Sequence, residues 1–124
     1  MQVNKIYNQD CLEGLGLLDN ECIDLTVTSP PYDDLRSYNG YSFEFEKIAQ
    51  ELYRVTKPGG VIVWIVSDRT KNGSETGTSF RQALYFKDIG FNLHDTMIYE
   101  KNNPTPQKSN RYQPCFEYMF ILSK

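Results

Sequence analysis

The amino-acid sequence predicts an α/β domain on a doubly wound sheet with an antiparallel edge. Three observations carry this. Segments of strand type and of helix type alternate along the chain, the order expected of βαβ units. "GVIVWIVSD" at 60–68 is a continuous apolar run, the kind that lies at the centre of a parallel sheet. The chain then closes on two strand-type segments, "LHDTMIYEK" and "CFEYMFILSK", joined by a loop rather than a helix. With 124 residues, 40% of them hydrophobic, the chain suits one domain with a modest core.

The elements follow in order. "KIYNQD" (5–10) reads as a short strand, and in "CLEGLGLLDN" Leu12, Leu15 and Leu18 fall at helical spacing. "CIDLTVTS" (22–29) is β-branched and reads as a strand covered on both sides. "YDDLRSYNGYS" is polar, aromatic and turn-rich, hence a loop. A helix follows, with Ser42 as its N-cap, Glu44 and Glu46 at the positive end of its dipole, and an apolar stripe of Phe45, Ile48, Ala49 and Leu52. "KPGG" (57–60) ends it, since Pro58 cannot continue a helix. After the central strand, "RTKNGSETG" reads as a polar loop into a second helix carrying Phe80, Ala83, Leu84 and Phe86, stopped near Gly90. The segment "NNPTPQKSNRYQP" between the last two strands is an excursion, because its three prolines do not suit a tight hairpin.

Composition narrows the function classes. The formal net charge of −3 is opposite to the basic footprint of a self-sufficient nucleic-acid binder. Three cysteines with no CxxC pair support neither a disulfide framework nor a zinc site, and fit a reducing cytosol. Cys11 and Cys22 read as small buried residues and Trp64 as core. His94 has no partner at ligand spacing. No apolar stretch reaches the length of a membrane span, and "MQVNKIYNQD" lacks a signal pattern, so a cytoplasmic protein is expected.

The most specific chemistry lies where the strand "CIDLTVTS" ends, in "TSPPY" at 28–32. Each proline gives up an N–H and fixes φ, which makes a rigid exit with carbonyl oxygens that no following amide easily claims. In a doubly wound sheet such a strand end faces the ligand crevice. An exocyclic amine on a nucleobase, or an amide nitrogen, is a poor nucleophile because its lone pair is delocalised. Acceptors on its hydrogens, here the Ser29 oxygen and the Pro30 carbonyl, draw the nitrogen toward tetrahedral geometry and free that pair. Tyr32 offers a flat face for the attached ring.

The stretch "IYNQDCLEGLGLLDNECIDLTVTSPPYDDLRSY" resembles the opening of permuted, beta-type amino-group DNA methyltransferases of bacteria and phages, whose motif is Asp, Asn or Ser, then Pro-Pro and an aromatic residue. The resemblance continues through "IAQELYRVTKPGGVIVWIVSD" and "FRQALYFKDIGFNLHDTMIYEKNNPTPQ" into "EYMFILSK". It implies a Rossmann-like class I methyltransferase sheet, S-adenosylmethionine as cofactor and double-stranded DNA as partner. By the same resemblance Ser29 and the Pro30 carbonyl hold the target amine, Pro31 shapes the turn, and Tyr32 stacks on a base extruded from the duplex. Asp10 and Cys11 match the position that touches the cofactor adenine, while Asp10 serves equally as a cap of the following helix. Ser at the first motif position leans toward N4 of cytosine over N6 of adenine.

The family's glycine-rich cofactor loop, of the type "FxGxG", has no match in the chain, and neither has a target-recognition region. In the family sheet, "KIYNQD" is separated from "IDLTVTS" by two strands that belong to that later part. The resemblance therefore implies an incomplete sheet, within a single partial catalytic domain at 1–124: a fragment lacking its C-terminal part, a split protein completed by a second chain, or a degenerate remnant. Arg36, Tyr38 and Tyr41, and Lys101, Lys108 and Arg111, are candidate DNA contacts beside a plain reading as solvated loop residues. Two other functions stay open: a non-catalytic binding or assembly module, and methylation of RNA or of a protein amide.

Overall fold

The computed structural model describes residues 1–32, 43–103, 106, 112 and 114–124. Ser42, Arg36, Tyr38, Tyr41, Lys108 and Arg111 lie outside the described residues. The elements are α1 (Cys11–Gly16), β1 (Ile23–Thr28), α2 (Phe45–Val55), β2 (Thr56–Val66), β3 (Thr70–Lys71), β4 (Ser74–Glu75), α3 (Thr78–Asp88), β5 (Asn92–Glu100) and β6 (Phe116–Ser123).

Four strands form one sheet in the order β1-β2-β6-β5. β1 runs parallel to β2, with Thr26 opposite Ile62 and Thr28 opposite Trp64. β6 runs antiparallel to both β2 and β5, so an antiparallel pair occupies that edge. The mixed α/β architecture agrees with the sequence reading.

The core sits on one face of this sheet. Ile62, Trp64 and Val66 of β2 and Phe120 and Leu122 of β6 pack under Ile48, Ala49 and Leu52 of α2 and Ala83 and Phe86 of α3. α2 buries Ile48, Ala49 and Leu52 of the expected stripe, joined by Val55, while Phe45 packs half-buried against the core. α3 turns differently from the expected face: Ser79, Gln82, Ala83 and Phe86 are buried, whereas Phe80 and Leu84 are exposed. The reason is polar: Gln82 accepts from the Trp64 indole N–H at 3.0 Å, and Ser79 bonds to Asp68, so two polar residues occupy the inward stripe.

Four other expectations are corrected. "KIYNQD" forms no strand; Ile6 is fully exposed, and a strand without a neighbour has no ladder to join. β1 is not covered on both sides, because Leu25 and Val27 are 57% and 61% exposed. "KPGG" lies inside β2 rather than in a turn: α2 stops at Val55, Thr56 is already extended, and Pro58 and Gly59 fall where the β1 register shifts, a place that tolerates the missing N–H. "RTKNGSETG" contains the β3–β4 hairpin, whose Asn72 and Gly73 both have positive φ, 53° and 76°, as an Asn-Gly type I′ turn requires.

Candidate active site at the carboxyl end of the parallel strands

β1 and β2 end side by side, and β6, running the other way, begins at that same end. Ser29 to Tyr32 therefore leave β1 beside the start of β6. Ser29 is exposed, Pro30 buried, and Pro31 and Tyr32 half-buried, with Tyr32 packed against the core. The Ser29 Oγ lies 2.6 Å from the Tyr32 hydroxyl. That hydroxyl also donates to Glu117 Oε2 at 3.0 Å. Glu117 Oε1 in turn lies 3.0 Å from Lys101 Nζ, and the Glu117 side chain is only 15% exposed.

Three separate stretches thus meet at one polar chain, Ser29–Tyr32–Glu117–Lys101. Sequence reasoning missed Glu117. It sits 85 positions from Tyr32 inside an ordinary strand, so only the register of β6 against its neighbours brings it there. Lys101, read as a possible DNA contact, is paired with Glu117.

Asp10 caps α1: its Oδ1 accepts from the N–H groups of Leu12 at 2.9 Å and Glu13 at 3.4 Å. Both bonds end on Oδ1, so the cap does not use Oδ2. α1 is anchored from the other end by Arg54 of α2, which donates to the carbonyls of Leu15 and Leu18 at 2.8 and 2.9 Å. Cys11 and Cys115 are exposed and Cys22 half-buried, which corrects the buried reading of Cys11. The Cys11 thiol itself is still pushed up from its ordinary value by burial of the sulfur, and then by the Asp10 charge.

On the helix side of the same end, a cavity of about 330 Å³ is lined by Ser67, Asp68, Thr70, Tyr112, Phe116 and Tyr118 among others. Asp68 Oδ1 accepts from the Ser79 N–H and hydroxyl at 2.7 and 2.6 Å, and so caps α3. Its Oδ2 is buried without a hydrogen-bond partner. Burial, and then the charges of Glu75 and Asp68, raise the Tyr118 hydroxyl above the ordinary tyrosine value. Among the described residues no His/Cys/Asp/Glu cluster could hold a metal, and no helix is long and apolar enough to cross a membrane.

This arrangement resembles known proteins in both sequence and shape. The family model for DNA methylases of the N6/N4 class matches residues 23–124. The orphan methyltransferase M.BamHII of Bacillus amyloliquefaciens is 74% identical over 102 residues, which cover 82% of this chain and 38% of that protein. The type II methyltransferase M.MthZI of Methanothermobacter thermautotrophicus is 31% identical, over 85% of this chain and 38% of its own length. Among solved structures, the cytosine-N4-specific PvuII DNA methyltransferase superposes with a TM-score of 0.75 at 20% identity, over 94% of this chain and 48% of that one. The complex of M1.HpyAVI with SAM gives 0.64 at 20% identity, over 91% and 49%. The chain thus spans under two-fifths of the length of these two curated relatives and about half of these two solved chains. The family model covers about four-fifths of the chain and takes in Ser-Pro-Pro-Tyr, which follows β1 at the carboxyl end of the parallel strands: the chain belongs to the DNA methylase family.

Proposed function

We propose that this chain forms the amine-positioning part of an S-adenosylmethionine-dependent DNA methyltransferase, acting on an exocyclic amino group of an extruded base, N4 of cytosine in preference to N6 of adenine. The observation that carries the reading is the Ser29 hydroxyl, exposed at the mouth of β1 and tied to Tyr32. Ser29 Oγ and the Pro30 carbonyl accept from the two amino hydrogens and pull the nitrogen toward tetrahedral geometry, which concentrates its lone pair. Pro31 holds the turn, and the Tyr32 ring supports the base. Extrusion is needed because a paired amino nitrogen cannot meet a methyl donor in line. No cysteine acts as a nucleophile.

S-adenosylmethionine supplies an electrophilic methyl group when bound. Asp10 fits its adenine: the carboxylate oxygen left over from the cap can accept from the adenine amino group, and the Cys11 backbone is adjacent. The rest of the cofactor and DNA surfaces belongs to further polypeptide. The relatives' greater length supports this, as does an apolar sheet face that the described helices leave open. Free cysteines among the described residues suit a reducing cytoplasm.

The test is transfer of labelled methyl from S-adenosylmethionine to duplex DNA, with RNA and protein substrates offered separately. It is run with this chain alone and with the polypeptide that completes an enzyme of the M.BamHII type. Ser29→Ala and Tyr32→Ala are expected to lower the rate by about a hundredfold or more while leaving the circular dichroism unchanged. Methylation of DNA at the wild-type rate by both variants would refute the reading. Label found in RNA or protein instead would move the substrate class.

A further inference from the structure

We infer that Glu117 is a positioning residue that sets the direction of the hydroxyl chain through Tyr32, so that Ser29 meets the target amine as a hydrogen-bond acceptor. The inference rests on the proposed role of Ser29. A phenol has one proton, and that of Tyr32 goes to Glu117 Oε2 at 3.0 Å. The Ser29 Oγ lies 2.6 Å from the same phenol oxygen, so the proton in that second bond is the one on Ser29. The chain runs in one direction: Ser29 donates to Tyr32, and Tyr32 donates to Glu117.

The consequence for Ser29 is specific. A serine hydroxyl is both donor and acceptor, and its proton turns to suit its surroundings. With the proton committed inward to Tyr32, the lone pairs face outward, as an amine that presents hydrogens requires. If Tyr32 instead donated to Ser29, the serine proton would swing toward the site and oppose those hydrogens. A carboxylate is acceptor-only and cannot reverse the chain. Lys101 Nζ, 3.0 Å from Glu117 Oε1, takes the other oxygen, and the backbone N–H of Lys101 bonds to the Cys115 carbonyl at 2.8 Å, which fixes both strand ends. With only 15% of the Glu117 side chain exposed, water competes weakly for these bonds.

The direction of the chain is read without turnover. The phenol C–O stretching band distinguishes a tyrosine hydroxyl that both donates and accepts from one that does only one of these. For Tyr32 it is isolated as the infrared difference between the purified isotope-labelled chain and Tyr32→Phe. The wild type is expected to show a hydroxyl that does both, and Glu117→Leu one that no longer does, with Glu117→Gln as a second variant that preserves size. An unchanged Tyr32 band in both variants would overturn the inference. In the methyl-transfer assay, Glu117→Leu is expected to lower kcat about tenfold to a hundredfold with KM for DNA unchanged. In a Ser29→Asn background, whose amide oxygen accepts whatever Tyr32 does, the same change is expected to alter kcat by less than about threefold. Equal losses in both backgrounds would overturn the inference. If the wild type transfers no methyl group, the functional reading fails, while the infrared result still decides the direction of the chain.

Discussion

The two faces of the sheet are built from similar residues and end in different surroundings. On one face Ile62, Trp64, Val66, Phe120 and Leu122 lie under α2 and α3, and Trp64 and Phe86 meet edge to face at 5.0 Å. On the other, the residues in register with each other are Leu25 with Val61, Val27 with Val63, Met119 with Ile65 and with Met97, and Ile121 with Val63. These are just as apolar, yet Leu25, Val27 and Met97 are each about half exposed or more. Both long described helices lie on the first face. Alternation of side chains along a strand therefore records what a sheet is able to bury, and a covering element has to be present for that burial to stabilise it.

If the covered face carries the stability, its centre gives the largest loss. Phe86 is fully buried, with its ring against Trp64, Phe45 and Phe91 at 5.0, 5.3 and 5.6 Å. Phe86→Ala removes that ring and leaves a cavity that rigid neighbours cannot fill, a loss of about 3–5 kcal/mol in urea denaturation. A loss below about 1 kcal/mol would mean that this face is not the core of the folding unit.

How much was legible in the sequence follows the same division. Apolar runs and helical stripes marked β1, β2, β5, β6, α2 and α3; in β2 and α2 the buried residues repeat at the period of the element, every second residue from Gly60 to Val66 along β2 being the clearest case. The Ser29–Tyr32 turn after β1 was legible as a rigid, hydroxyl-bearing strand exit because proline geometry and a hydroxyl are local. Three of the features that were not show why. "KIYNQD" has the residues of a strand, but strand formation depends on a neighbour, which composition does not report. The inward face of α3 is shared by Gln82 and Ser79, polar residues whose partners Trp64 and Asp68 lie on or just after β2, so of the expected apolar stripe only Ala83 and Phe86 face inward. Glu117 reaches Tyr32 only through strand register.

The entry of β2 is the next place to probe, because it shows how closely the covered side is packed. A Cβ on Gly60 would stand 2.7 Å from Thr56 Cγ2, 2.9 Å from the Lys57 carbonyl and 3.2 Å from the Asp24 carbonyl. Two of these are backbone oxygens at the break in the β1–β2 register, which give way only if the backbone moves. Gly60→Ala is expected to cost about 1–3 kcal/mol in the same denaturation measurement, with the β1 amides losing hydrogen-exchange protection first. An alanine that fits without loss would show that the β1–β2 register is looser than these contacts imply.

The smallest effect tests the open face directly. Val27→Thr keeps the branched shape and β preference of the side chain and replaces one methyl by a hydroxyl. At 61% exposure that hydroxyl reaches water, so the change is expected to stay within about 0.5 kcal/mol. The same substitution in a buried strand position would desolvate the hydroxyl at a cost of about 1–3 kcal/mol. The midpoint for Val27→Thr should also be independent of protein concentration. A loss above about 1 kcal/mol that grows with concentration would show that a second copy covers Leu25 and Val27 in solution. The two faces would then differ in what covers them, another chain on one side and the chain's own helices on the other.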